Sequence, residues 1–187
     1  SPELLHKTEA GAVQVGIRNA EELVVHYDRL MNNAVRYKPD MSIDGMLVMP
    51  MASGGVECIV GVNDDPQFGP IILFGLGGIF TEIMQDVSFE LPPLSYEEAR
   101  RMAERIQGYA VLNGARGRAA ADLDKLVDVL VRLAAFADHQ RDRVQQVEIN
   151  PIFVLPQGDG VLLGDALLLP KRTAAESGRI GRKEPSK

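Results

Sequence analysis

A chain of 187 residues, 45% hydrophobic and 25% charged with a formal net charge of −6, has the composition of an ordinary globular protein. It is long enough for one sizeable domain, or for two small lobes sharing a cleft. With a single cysteine, Cys58, three scattered histidines and no apolar run near the roughly 20 residues that cross a bilayer, disulfide scaffolds, Cys- or His-based zinc sites and membrane helices are excluded.

In chain order, His6-Lys7-Thr8 occupies a turn ahead of an expected strand over 11–17. Asn19 with Glu22 three residues later predicts a helix start, and Leu23, Tyr27, Leu30, Met31 and Ala34 continue at helical spacing to Tyr37. Strands are expected over 45–49 and 56–62, joined by a small-residue turn, and over 71–74, which runs into Gly75-Leu76-Gly77-Gly78. Ser95 with Glu98 marks a capping box and a helix to about 107. Asp122 begins a third helix carrying Leu126, Val129, Leu130 and Leu133 on one face. Strands over 144–149 and 161–168 close the body around the turn 157–160. The order predicts an α+β fold with largely antiparallel pairing, in an early and a late group of elements. The last 17 residues carry six Lys/Arg against two Glu, a net of +4 that leaves −10 on the body. Such a body is a poor nucleic-acid binder, and residues 170–187 read as a flexible basic tail. The start at Ser1, inside a turn, reads as a piece of something longer, and the cysteine usage suits a reducing cytoplasm.

Several groups invite a chemical reading. In Val147-Glu148-Ile149-Asn150-Pro151-Ile152, strand alternation puts Glu148 and Asn150 on one face. They are either oxygen ligands for a hard cation such as Mg²⁺ or a strand end capping a turn before proline. Asp165, a lone acid inside an apolar run, is either a polar strand edge or a partner of the same cluster. If the 157–160 turn makes the flanking strands antiparallel neighbours, Asp165 approaches Asn150. His6 and Lys7 are an exposed pair or a phosphate-handling loop in which His6 accepts a phosphoryl group. Glu57 is a solvated strand acid or a ribose acceptor. The Gly75–Gly78 run fails the dinucleotide pattern, because Phe80 stands where the third glycine belongs. It is a phosphate-touching loop or a tight turn with close backbone packing.

The stretches SPELLHKTEAGAV, GVECIVGVNDDPQFGPIILFGLGGIFTEIMQDV, LNGARGRAAADLD and VEINPIFV…GDALL together resemble the ATP-grasp part of NDP-forming acyl-CoA synthetases. That group includes the ADP-forming acetate–CoA ligases and, more distantly, the succinyl-CoA synthetase β-subunit. The resemblance covers residues 1–169 and implies an ATP-grasp fold of two α+β subdomains around a nucleotide cleft, truncated at its N-terminus. It implies that His6, Lys7 and Thr8 lie over the phosphates of ATP or ADP, with His6 also a phosphoryl carrier. Met49 would offer backbone groups to the adenine and Glu57 would bind the ribose. Asn150 and Asp165 would ligate Mg²⁺, and Glu148 would face an incoming phosphohistidine. CoA-binding and phosphohistidine domains, in the same chain or another subunit, would be the partners, and the isolated piece would be inactive. Two departures matter: Ala12 replaces the second of two glycines, and an ATP-binding strand lysine expected upstream of Ser1 is absent. The alternative is a non-catalytic ligand-sensing domain of an acetyltransferase fusion, with a structural docking subunit a third reading.

Overall fold

The computed structural model describes residues 1, 3, 4, 7–78 and 86–171, so His6 and the tail from 172 onward lie outside the described residues. The chain divides into two compact units, Ser1–Ser53 and Gly54–Lys187.

The first unit is built on helix α1, Ala20–Tyr37. Asn19 caps it by accepting a hydrogen bond from the Glu22 amide at 2.8 Å, while the Glu22 carboxylate reaches back to the Arg18 amide at 3.0 Å. This is the expected start, displaced by one residue on the return bond. A small cluster of Leu4, Ala10, Ala34 and Met41 forms the unit's core. Residues 7–12 close a turn in which Ala12 N–H donates to Lys7 O and Gly11 N–H to Thr8 O, both at 2.9 Å. The strands expected over 11–17 and 45–49 are not formed. Extended backbone becomes a strand only when a neighbour accepts its ladder bonds. Neither segment pairs within the described residues, and Gly11, Gly16 and Gly45 interrupt them with positive φ. Val13, Val15, Leu47 and Val48 are accordingly exposed.

The second unit is a six-stranded antiparallel sheet covered on one face by helices. Its elements are β1 (Val56–Asp65), β2 (Gly69–Leu76), β3 (Val87–Glu90), α2 (Tyr96–Glu104), α3 (Tyr109–Leu112), α4 (Leu123–His139), β4 (Val144–Val154), β5 (Val161–Leu163) and β6 (Ala166–Pro170). The strand order is β3-β2-β1-β4, with β5 and β6 lying in succession along the other edge of β4. Cys58, Val60 and Val62 of β1, Ile72, Phe74 and Leu76 of β2, and Ile152 and Val154 of β4 alternate onto the covered face. They pack against Met102 of α2 and Leu126, Leu130 and Ala134 of α4. Cys58 is fully buried, and burial, with a smaller push from Glu57, raises its thiol to about 12. Glu57, Ile59, Gly61 and Asn63 point to the opposite face.

Local signals govern the helix starts. Ser95 and Glu98 form the full capping box, with the Ser95 amide donating to the Glu98 carboxylate at 2.8 Å. Asp122 is buried and caps α4 by accepting from the Lys125 amide at 3.2 Å. Its second oxygen accepts from the amides of Gly158 and Gly160, both at 3.0 Å. One carboxylate thus ties the start of α4 to the turn between β4 and β5. Helix α2 ends before 107 because the buried Asp86 carboxylate takes the Gln107 and Gly108 amides, each at 2.7 Å, and turns the chain into α3.

Removing the Asp122 carboxylate leaves three backbone donors short of an acceptor, a loss of about 3 kcal/mol. Asp122→Ala should lower urea stability by about that amount, comparable to Leu126→Ala at about 2–5 kcal/mol. Chemical denaturation of the two variants beside the parent checks it.

Candidate functional site

The face of the sheet away from the helices carries the acids and the amide. Alternation along β4 is broken once. Val60 pairs with Ile149 while Cys58 pairs with Ile152, so Asn150 and Pro151 together oppose the single residue Ile59. This bulge explains how Val147 and Ile149 are buried on odd positions while Ile152 and Val154 are buried on even ones. It also accommodates Pro151, which has no amide to give a ladder. Upstream of the bulge Glu148 lies on the open face. The Asn150 amide nitrogen donates to Glu148 Oε1 at 3.1 Å, leaving Asn150 Oδ1 as its acceptor. Gln146, two residues earlier on the same face, approaches Glu148 Oε2 from 3.5 Å.

The turn at 157–160 makes the neighbours expected of it. Val154 pairs with Val161, and the Leu155 amide donates to Gly160 O at 3.0 Å. The expected single strand over 161–168 is two strands, β5 and β6, in one register along β4. They part at Gly164-Asp165, which faces the bulge. Here the Gly164 amide donates to Pro151 O at 2.8 Å and the Asn150 amide to Asp165 O at 3.2 Å. Asp165 therefore stands directly across from Asn150, exposed in the link between β5 and β6. Gly164 makes this approach possible, since a Cβ there would lie 2.9 Å from Pro151 Cγ and 3.1 Å from Pro151 O.

Glu57 lies on the same face of β1, paired with Phe153, while Glu148 pairs with Gly61. Four strand residues separate the two positions, about 13 Å. Glu57 is exposed, and its carbonyl accepts the Gly77 amide at 2.7 Å. In the first unit, Lys7 and Thr8 sit in the closed turn 7–12, whose Gly11 carbonyl accepts Asn33 Nδ2 at 2.9 Å. Ala12, which departs from the two-glycine pattern, packs its methyl beside the Leu4, Ala10, Ala34 and Met41 cluster. Met49 is half exposed and lines a cavity of about 300 Å³ with Gln14, Arg18, Leu23 and Met51.

Sequence reasoning thus located Glu148, Asn150 and Asp165, which the fold gathers, and Glu57 on the same sheet face. It missed Gln146, whose spacing of two from Glu148 was the available signal, and the room that Gly164 makes beside Pro151, while the close backbone packing at Gly77 is one of the two readings the Gly75–Gly78 run left open. Among the described residues no three His, Cys, Asp or Glu side chains cluster as a metal cage. A donor set of one carboxylate and one amide oxygen fits Mg²⁺, which keeps waters and takes further oxygens from phosphates. No helix among the described residues is long and apolar enough to cross a membrane.

Residues 1–168 match a family model described as the ATP-grasp domain, and the chain belongs to that family. It is 42% identical over 171 residues to the β subunit of acetate–CoA ligase [ADP-forming] II of Pyrococcus furiosus, covering 91% of this chain and 72% of that subunit. A crystal structure of a Pyrococcus horikoshii protein superposes with a TM-score of 0.87 at 42% identity, over 92% of this chain and 73% of that one. The dinucleotide forming acetyl-coenzyme A synthetase 1 of Ca. Korarchaeum cryptofilum, solved with coenzyme A and Ca-AMPCP, superposes at 0.85 with 36% identity, over 91% and 73%. The same enzyme with coenzyme A and Mg-AMPPCP, its phosphohistidine segment pointing towards the nucleotide binding site, superposes at 0.75 with 33% identity, again over 91% and 73%. A relative of this kind is a ligase subunit, which favours the ligase reading over the sensing one.

A larger side chain at position 164 has to push β5 and β6 away from Pro151. Gly164→Val should cost about 1–3 kcal/mol and deprotect the Asn150 backbone amide in hydrogen exchange, whereas Leu162→Val at an exposed position should leave that amide protected.

Proposed function

We propose that this chain is the nucleotide- and Mg²⁺-binding, phosphoryl-transferring part of an ADP-forming acyl-CoA synthetase, acting in acyl-CoA + ADP + phosphate ⇌ carboxylate + CoA + ATP. The observation that carries the reading is the meeting of Asn150 with Asp165 across the β4 bulge, where the Asn150 backbone N–H donates to Asp165 O at 3.2 Å while the Asn150 side-chain Nδ2 donates to Glu148 Oε1 at 3.1 Å. Residues 1–169 are the ATP-grasp part, and 170–187 a basic extension. The remaining chemistry comes from CoA-binding and phosphohistidine domains, in the same chain or in another subunit, in the cytoplasm.

Each residue then has a task. Asn150 Oδ1 and the Asp165 carboxylate hold Mg²⁺, which when bound neutralises charge on the transferring phosphoryl group. Glu148 is the acid that meets the incoming phosphohistidine, where a carboxylate accepts the imidazole N–H and orients the ring. Its separation of about 13 Å from Glu57 suits a nucleotide lying along the sheet, ribose at Glu57 and phosphates at the metal. Lys7 and Thr8, with the amides of their turn, neutralise and bond phosphate oxygens. His6 receives the phosphoryl group in relay, and the backbone at Met49 reads the adenine. Catalysis of this kind is positioning and charge neutralisation more than covalent chemistry by the protein.

Calorimetry of Mg-ADP binding tests the assignment. Asp165→Asn and Asn150→Ala should each weaken Mg-ADP about tenfold or more, with melting temperatures close to the parent's. Unchanged affinity beside a large loss of stability would make both residues structural and sink the proposal.

A further inference from the structure

The glycine run that ends β2 matches no dinucleotide fingerprint, yet a side chain is poorly tolerated at each of its three glycines, Gly75 against Asp86 O and Val87, and Gly77 and Gly78 against Glu57. A Cβ on Gly77 would lie 2.7 Å from Glu57 Cγ, 3.1 Å from Glu57 C and 3.2 Å from Cys58 N. The first of these is closer than carbon atoms approach without displacement. The Gly77 amide meanwhile donates to the Glu57 carbonyl at 2.7 Å, so the two residues are held together and cannot simply part. Gly78 follows at φ +64°, and a Cβ there would face Glu57 Oε2 at 3.8 Å. Backbone at 77–78 therefore runs against the stem of Glu57. Glu57 lies on the face of β1 opposite the buried Cys58, so its side chain stays on the open side of the sheet.

We infer that Gly77 is a positioning residue that aims the Glu57 carboxylate, and so sets how the protein recognises the sugar of its nucleotide. The inference rests on the proposed nucleotide-binding role and adds a specificity determinant to it. The physical argument is steric. A glycine at 77 leaves the volume that Glu57 Cγ fills, and its amide anchors the Glu57 backbone. A methyl group in that volume has to rotate the Glu57 side chain about χ1, carrying its carboxylate away over several ångströms of lever arm. A carboxylate moved by that much no longer accepts a hydroxyl hydrogen bond, whose useful range is a few tenths of an ångström.

The test compares ADP with 2′-deoxy-ADP and 3′-deoxy-ADP, each with Mg²⁺, by calorimetry on the parent chain and on Gly77→Ala, Glu57→Gln and Glu57→Ala/Gly77→Ala. The parent should prefer ADP over at least one deoxy analogue about tenfold or more. Gly77→Ala and Glu57→Gln should both erase that preference while nucleotide binding stays Mg²⁺-dependent. A purely structural glycine would change all three affinities in proportion and leave their ratio alone. Gly77→Ala with the parent's ratio overturns the inference. So does a parent that binds all three equally, although Mg-ADP binding itself would then still support the proposed function. A parent that binds none of them removes both. If Gly77→Ala melts too low to measure, removing Glu57 Cγ in the double variant should restore folding relative to the single one, and failure of that rescue also overturns the contact.

Discussion

One buried carboxylate, that of Asp122, fixes how the start of α4 and the turn between β4 and β5 meet. Through one oxygen it begins α4, and through the other it holds the amides of Gly158 and Gly160 in the turn between β4 and β5. Around it the Asp122 amide donates to Leu155 O at 2.7 Å and the Gln157 amide to Ala120 O at 2.9 Å. The turn of a hairpin sets the register of the strands it joins, and a slip of one residue would exchange their faces. β5 and β6 share one register on β4, so the turn held by Asp122 also determines which residue of that edge meets Asn150. That residue is Asp165.

The sheet has two faces of different character, and the bulge at Asn150-Pro151 is where they are kept apart. Without an extra residue, strict alternation would put Ile152 on the same side as Glu148 and expose the lower half of β4's apolar set. With it, Val147, Ile149, Ile152 and Val154 all reach the helices, while Glu148 and Asn150 stay on the open side. Bulges re-aim side chains at the cost of a local break in the ladder. Here the break coincides with a proline that has no amide to donate to the ladder, so little is lost by it. Gly164 on the neighbouring edge supplies the room that the bulge requires at Pro151.

A site of this construction has little of its own charge chemistry to offer, and its members are half-buried or exposed. What it has is spacing: oxygen donors at one end of a sheet face and a further acid about 13 Å along it. That suits a ligand bringing its own strong charges, such as a nucleotide polyphosphate with its cation, better than a small neutral substrate. The likeness to ATP-grasp ligase subunits over nearly the whole body agrees with this.

Much of this is legible in the amino-acid sequence alone. Helix starts at Asn19 and Ser95 are readable because a cap and its partner lie three residues apart, the start at Asp122 is readable from an acid ahead of an apolar helical stripe, and the antiparallel neighbours of the 157–160 turn are readable from the turn. The shared face of Glu148 and Asn150 follows from alternation alone. Other features depend on residues distant in the chain. The segments 11–17 and 45–49 have strand-like composition, but a strand exists only where another segment accepts its hydrogen bonds. Conversely, β3 is four residues long, too short to show a period, and forms because the edge of β2 offers it a ladder. Helix α2 stops at Glu104 because Asp86, far earlier in the chain, claims the amides of Gln107 and Gly108. The bulge, the break between β5 and β6, and the contact of Gly77 with Glu57 are likewise invisible to periodicity. Each is a compromise between two strands, and a pattern read along one of them carries no record of the other.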